Sequence, residues 1–148
     1  MRPAAARRLG ATLPLALAAA SAGCAGLLGR APMEREVRID LPVSRDAAVR
    51  RTLAAFRAQG YTVRETLTSG TAPESEPFSH RGEADAVFRA QVTGSRGESR
   101  VVLTGEWRNR ELGGLVRGPY RELKSGEDGV AGELWARLVN LGLVIRRP

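Results

Sequence analysis

Four stretches of the chain alternate apolar and polar residues with a period of two. The clearest is 36–41, where Val37, Ile39 and Leu41 alternate with charged residues. Such alternation is typical of a strand with one face in a core and the other in water. The turn-forming residues Gly94-Ser95-Arg96-Gly97 join the last two runs and predict a β-hairpin over 84–108. The four runs are 36–41, 61–68, 86–92 and 101–107.

Two other stretches repeat apolar residues at the spacing of a helix. The first is 45–59, where Ser44 is a candidate N-cap because its hydroxyl can accept from a backbone amide of the first turn. The second begins within 125–128 and ends at Gly142, which leaves 143–145 as a short apolar tail. Both patterns predict helices that bury one face.

The remaining stretches are rich in glycine, proline and polar residues. We expect 69–83 to form a loop, and 109–126 to be irregular with a short edge strand at Leu115-Val116. The predicted element order is therefore β-α-β-β-β-α. Consecutive strands joined by hairpins favour an α+β fold, in which an antiparallel sheet carries two helices on one face as a two-layer sandwich.

The N-terminus has the layout of an export signal. Three arginines, Arg2, Arg7 and Arg8, precede an almost wholly apolar run from Leu9 to Ala20, and small residues then lead to the only cysteine, Cys24. A helix needs roughly 20 apolar residues to cross a bilayer, and this run is shorter. The pattern predicts that 1–23 is a signal peptide.

The residues Ser21-Ala22-Gly23-Cys24 resemble the lipobox of bacterial lipoproteins, although Ser21 stands where leucine is usual. The resemblance implies cleavage between Gly23 and Cys24 and attachment of diacylglycerol and palmitate to the new N-terminal cysteine. Ala25 after the cysteine implies the outer membrane, facing the periplasm, if the organism is diderm. The alternative is ordinary secretion, which would leave Cys24 as a free thiol.

The sequence after the signal predicts a short tether, 24–34, and one α+β domain, 35–148. The ten residues 25–34 after the cysteine reach at most about 35 Å, so the tether would keep a lipidated domain close to its membrane. The predicted order of elements is similar to that of the small helix-grip domains of envelope lipoproteins. One example is the accessory lipoprotein of the outer-membrane β-barrel assembly machinery. That resemblance lies in element order alone and implies no site residues.

Composition narrows the classes of partner. The net charge is +7, and all but one of the 23 basic residues are arginine. In an exported chain this basicity indicates an anionic membrane or cell-wall polymer rather than nucleic acid. With a single cysteine, the chain has no internal disulfide.

Catalytic motifs are sparse. His80 is the only histidine, and no Gly-x-Ser-x-Gly elbow or phosphate-binding glycine loop occurs. We interpret His80 as a solvated loop residue rather than a base, and Glu74 and Glu76 as exposed carboxylates rather than metal ligands. The sequence thus predicts a non-catalytic protein without a cofactor or metal site.

The segment that contains Trp107 and Tyr120 combines aromatic rings with cations. Surfaces that bind lipid headgroups or anionic polymers have this combination. Glu106, Glu111 and Glu122 are interleaved with these residues, so a salt-bridged, solvated surface is the alternative.

The leading hypothesis for the function is an envelope protein that binds a protein or cell-wall partner near the membrane. The second is a carrier of a lipid or other apolar ligand, suggested by the small residues Ala86, Ala90 and Gly105. The possible interaction surface is Trp107, Arg108, Arg110, Arg117, Tyr120 and Arg121.

Overall fold

The computed structural model describes residues 32–64 and 73–148. The predicted signal peptide, Cys24 and most of the predicted tether lie outside these residues. The described elements, in chain order, are β1 Val37–Leu41, α1 Arg45–Ala58, β2 Val63–Arg64, β3 Glu74–Ser75, β4 Phe78–His80, β5 Ala84–Gly94, β6 Ser99–Glu111, a 3-10 turn Leu112–Gly114, β7 Val116–Arg117, β8 Arg121–Glu122 and α2 Gly129–Arg146.

The two long strands β5 and β6 form the centre of one antiparallel sheet. They pair from Ala84 opposite Asn109 to Gly94 opposite Ser99, which confirms the predicted hairpin and lengthens it. β1 pairs with β6 on one side, and β3 and then β2 follow β5 on the other. The short strands β4, β7 and β8 pair with β5 or β6 at the end of the hairpin opposite its turn. The predicted α+β class, with an antiparallel sheet and two helices, is confirmed.

Helix α1 begins where its cap residue predicts. The Ser44 hydroxyl accepts from the Ala47 amide at 3.4 Å, and Gly60 ends the helix with a φ of 81°, a left-handed conformation that glycine adopts without strain. Phe56 is fully buried on the inner face of the helix. The prediction of a helix over 45–59 is therefore confirmed to within one residue.

Helix α2 is longer than the sequence predicts. It continues through Gly142 to Arg146, so the predicted end at Gly142 and the separate tail 143–145 are wrong. Gly142 serves close packing instead, because a Cβ there would lie 3.0 Å from Val37 of β1. Ile145 is fully buried one turn further on. Within the described chain, no helix is both long and apolar enough to span a bilayer.

The segment before β5 contains two strands where a loop was predicted. Glu74–Ser75 and Phe78–His80 both pair with β5, so the loop prediction for 69–83 is wrong at these positions. Of the predicted strand 61–68, Val63–Arg64 is a strand and 65–72 lies outside the described residues. Aromatic packing holds the segment, since the Phe78 ring lies 5.0 Å from that of Phe88.

The small residues of the hairpin leave room that other side chains fill. Ala86, Ala90 and Gly105 are buried, and a Cβ on Gly105 would lie 2.9 Å from Leu123 and 3.2 Å from Phe88. Leu123 follows β8 and is fully buried against this glycine. Leu123 and Phe88 therefore occupy the space beside Gly105.

Candidate functional site

The interaction surface predicted from the sequence is divided between the two faces of the sheet. Alternation along β6 places Trp107 on the helix side with the core residues, and Arg108 on the opposite face. Arg121 stays with the tryptophan, its guanidinium 4.4 Å from the centre of the Trp107 ring. The remaining four residues gather on the face away from the helices.

On that outer face a single carboxylate gathers three guanidinium groups. Asp85 lies opposite Arg108 in the hairpin register, and its Oδ2 is 3.1 Å from Arg108 Nε. Arg110 Nε is 3.5 Å from Asp85 Oδ1, and Arg117 Nε is 3.7 Å from Oδ2. Asp85 is largely buried, whereas half of the Arg117 side chain is exposed. We call these four residues the arginine cluster.

Two neighbours complete the arginine cluster. The Tyr120 ring lies 4.5 Å from the Arg108 guanidinium, a cation–π contact. Arg110 Nη1 donates to Ser79 Oγ at 3.0 Å, so β4 also contributes to the site. Arg110 Nε is buried and has no hydrogen-bond partner among the described residues. Its contact with Asp85 at 3.5 Å is therefore an ion pair without a hydrogen bond from this nitrogen.

Two of the three interleaved glutamates are paired outside the arginine cluster. Glu106 pairs with Arg89 at 2.9 Å, and Glu122 pairs with Arg35 at 3.2 Å. Glu111 is exposed at the end of β6. Asp85 is thus the carboxylate that the three arginines share, and the arginine cluster taken by itself carries a net positive charge. The planar guanidinium group of arginine binds carboxylate or phosphate well, because its N–H donors match the spacing of the oxygens.

Sequence reasoning missed Asp85, the centre of the site. The predicted hairpin over 84–108 did not locate this contact, because symmetric pairing about the 94–97 turn would place Asp85 opposite Glu106. The structure pairs Gly94 with Ser99, and this register brings Asp85 opposite Arg108. Opposite charges directly across a strand pair form a cross-strand ion pair.

His80 lies in a second polar network, between the sheet and α2. It is buried, and the interpretation of it as a solvated loop residue is wrong. Its Nε2 lies 2.7 Å from Glu133 Oε2, and its Nδ1 lies 3.1 Å from Arg137 Nη1. Because a guanidinium can only donate, Nδ1 accepts and Nε2 carries the proton that it donates to Glu133. Both ring nitrogens are therefore engaged.

Further contacts hold this network in place. Arg81 donates to Glu133 at 2.8 Å, and Arg137 donates from Nε to the Tyr61 hydroxyl at 3.2 Å. The hydrogen bond from His80, together with the nearby charge of Arg81, lowers the pKa of the Glu133 carboxyl. Burial raises the pKa of the Tyr61 phenol. The arrangement fixes β4 against α2 and leaves no ring nitrogen of His80 open to a substrate.

The two carboxylates considered as metal ligands pair with arginines. Glu74 Oε2 accepts from Arg89 Nε at 2.8 Å, and Glu76 lies 3.9 Å from Arg64 Nε. No group of three or more ligating side chains that could hold a metal ion occurs in 32–64 or 73–148. Both glutamates are thus engaged in ion pairs with arginines.

Comparison with known proteins assigns no family to this chain. No protein-family model matches it, and no curated protein matches it significantly. What the chain does must therefore be inferred from its own residues and their contacts.

Proposed function

We propose that this chain is a non-catalytic lipoprotein of the bacterial cell envelope. Acyl chains on Cys24 would anchor it, in the outer membrane facing the periplasm if the organism is diderm. Its domain would bind an anionic protein or cell-wall partner near that membrane. The lipobox-like residues Ser21-Ala22-Gly23-Cys24 support the anchor. Two or three acyl chains hold a protein firmly at a bilayer, whereas one does so only marginally.

The observation that carries the binding proposal is the arginine cluster. Asp85 is shared by Arg108, Arg110 and Arg117, so the group retains positive charge after internal pairing. Arg117 is half exposed, and Tyr120 adds an exposed aromatic ring beside the cations. A partner that presents carboxylate or phosphate groups fits this chemistry.

The contacts of His80 support a non-catalytic function. A general base needs a ring nitrogen within hydrogen-bond reach of a substrate proton. In His80, one nitrogen donates to Glu133 and the other accepts from Arg137. Both contacts are internal to the domain, and they account for the residue as part of the packing between β4 and α2.

The anchor is tested by metabolic labelling with a palmitate analogue. We expect label on the wild-type chain and none on Cys24→Ala, with similar amounts of both proteins detected by immunoblot. Equal label on the two proteins would contradict lipidation at this cysteine. Edman or mass-spectrometric mapping of the mature N-terminus to Cys24 provides the second readout.

The binding surface is tested by capture from intact envelopes and by sedimentation with isolated cell walls. We expect Arg117→Gln to weaken retention about tenfold, since a charge-assisted hydrogen bond to an anion would be lost. Arg96→Gln removes the same charge from the turn at the opposite end of the β5–β6 hairpin and serves as the matched control. Equal retention of both variants and wild type would contradict a role for the arginine cluster.

A further inference from the structure

We propose that the turn between β6 and β7 inserts into the headgroup region of an anionic lipid bilayer. Three apolar side chains project there into solvent: Leu112 is 75% exposed, Leu115 88% and Val116 46%. We call these three residues the apolar tip. They lie together at one end of the sheet, next to the arginine cluster. The inference rests on the membrane location proposed above and adds a second contact with that membrane.

The backbone of the turn keeps the apolar tip away from the core. Leu112 has a φ of 50°, a left-handed conformation that side chains other than glycine rarely adopt. Gly113 and Gly114 follow with φ values of 66° and 91°, which glycine adopts without strain. The Arg110 guanidinium packs against Gly114, because a Cβ there would lie 3.2 Å from it. Leu112 and Leu115 are not part of the buried cluster of the described residues, which leaves their side chains available to a partner.

The charges behind the tip match an anionic membrane surface. Arg110 and Arg117 face each other in the β6–β7 register, one residue pair behind Glu111 and Val116. The Arg110 guanidinium lies against Gly114 of the turn, and Arg117 Nε lies 3.7 Å from Asp85 Oδ2, further from the turn. Shallow insertion of leucines would thus place both arginines at the level of lipid phosphates. Glu111 and Glu83, whose backbone carbonyl accepts from the Arg110 amide at 2.8 Å, bring two exposed carboxylates to the same end of the sheet.

The direction of β1 agrees with this orientation. β1 pairs with β6 so that Leu41 lies opposite Ser99 and Val37 opposite Leu103. Traced backwards from Leu41, the chain therefore moves towards the tip end of β6. The described residues upstream of β1 continue in this direction, where the Glu34 amide donates to Ser125 Oγ at 2.7 Å.

A fluorescent probe at the tip tests the proposal. Leu115→Cys in a Cys24→Ser background of the full chain gives a single thiol for an environment-sensitive dye such as NBD. Because the apolar N-terminal run of the full chain is itself expected to bind vesicles, the probe must report locally. We expect a blue shift with phosphatidylcholine–phosphatidylglycerol vesicles, quenching by nitroxides on the acyl chains, and a much smaller response with phosphatidylcholine alone. The control is Arg96→Cys in the same background, which reports on the opposite end of the hairpin.

Substitutions near the probe separate the apolar and charged contributions. Leu112→Ser should lower the partitioning of the probe into anionic vesicles about tenfold, which is the loss of one buried leucine. Arg117→Gln should lower it about fivefold in anionic vesicles only. Leu143→Ser, at an exposed leucine of α2, is the matched control and should leave the partitioning unchanged.

An unchanged NBD spectrum at position 115 while the protein floats with anionic vesicles would overturn the proposal. A shift that appears only on addition of envelope protein, and not with lipid alone, would also overturn it and assign the tip to a protein partner. Since the probe variants lack Cys24, their result is independent of lipidation and of partner capture by the arginine cluster. Failure of the insertion is thus distinguishable from failure of the proposed function.

Discussion

The imidazole Nε2 of His80 lies 2.7 Å from Oε2 of Glu133, and this contact joins the short strand β4 to helix α2. β4 has three paired residues and lies at one end of the sheet, so backbone hydrogen bonds alone hold it weakly. A buried polar ring adds stability only when its nitrogens are satisfied. Glu133 and Arg137 satisfy both nitrogens from α2.

We predict that Glu133→Gln makes stability less dependent on pH in the acid range. Its hydrogen bond from His80 and the charge of Arg81 lower the pKa of Glu133 below its ordinary value of 4.5. A lowered pKa contributes stability above the pKa of the unfolded chain, and that contribution is lost as pH falls through the folded value. Urea unfolding should show the wild type more stable than Glu133→Gln at neutral pH, with a gap that closes in acid.

The control for this pH series is Glu98→Gln, which removes a carboxylate from the exposed turn between β5 and β6. Its stability should follow that of the wild type across the same range. A gap between wild type and Glu133→Gln that stays constant down to about pH 3 would contradict the assigned role of the ion-paired carboxylate.

We predict that Asp85→Asn destabilises the domain by about 1–3 kcal/mol. The substitution removes the shared carboxylate and leaves the guanidinium groups of Arg108, Arg110 and Arg117 close together without a counter-charge. Chemical denaturation measures the loss. Because repulsion between cations is screened by salt and relieved by bound anions, added phosphate should restore part of the stability.

An exposed ion pair provides the comparison for Asp85. Asp40 accepts from Arg100 Nε at 2.6 Å, but both side chains are more than half exposed. Exposed pairs contribute little because solvent screens them. Asp40→Asn should therefore leave the denaturation midpoint nearly unchanged. A loss at Asp40 equal to that at Asp85 would show that burial of the shared carboxylate does not matter.

We predict that Gly94→Ala destabilises the β5–β6 hairpin by about 2 kcal/mol or more. Gly94 has a φ of 144°, and a Cβ there would lie 2.6 Å from the Ser99 Cα and closer still to the Glu98 carbonyl oxygen. The backbone would have to move to accept it. Gly97→Ala, in the same turn and with open space around its Cβ position, should change stability by less than about 0.5 kcal/mol. Thermal unfolding of the two variants tests the contrast.

The parts of the fold that were predicted correctly have strong local signals. The β5–β6 hairpin alternates apolar and polar residues on both strands, apart from Val87 and Val102, and has turn residues between them. Helix α1 has an apolar face at helical spacing, the cap residue Ser44 and the terminating Gly60. β4 has no such signal, because Phe78 is its one apolar residue and His80 is polar. Its strand state comes from pairing with β5 and from partners on α2, which are distant in sequence. Tertiary contact decided the conformation there.

In the candidate site, too, the residue types could be predicted from the sequence, whereas their contacts could not. Its arginines and aromatic residues could be selected from the sequence, since the residue types suit an anionic partner. Their separation into two faces follows from the period of β6, which puts Trp107 and Arg108 on opposite sides. The central carboxylate of Asp85 becomes evident only with the strand register. The exposure of Leu112 depends on a left-handed backbone conformation that the sequence does not predict.

The C-terminal turn of α2 gives the last prediction: Ile145→Ala should destabilise the domain by about 2–5 kcal/mol. Gly142 alone suggests a helix end, but its position against Val37 shows that the glycine lets α2 pack closely on β1. Ile145 is fully buried beyond it, so truncation leaves a cavity, whereas Leu143 on the same turn is 48% exposed. Leu143→Ala should change stability by less than about 0.5 kcal/mol. Equal effects of the two truncations in urea denaturation would mean that the helix ends at Gly142 in solution.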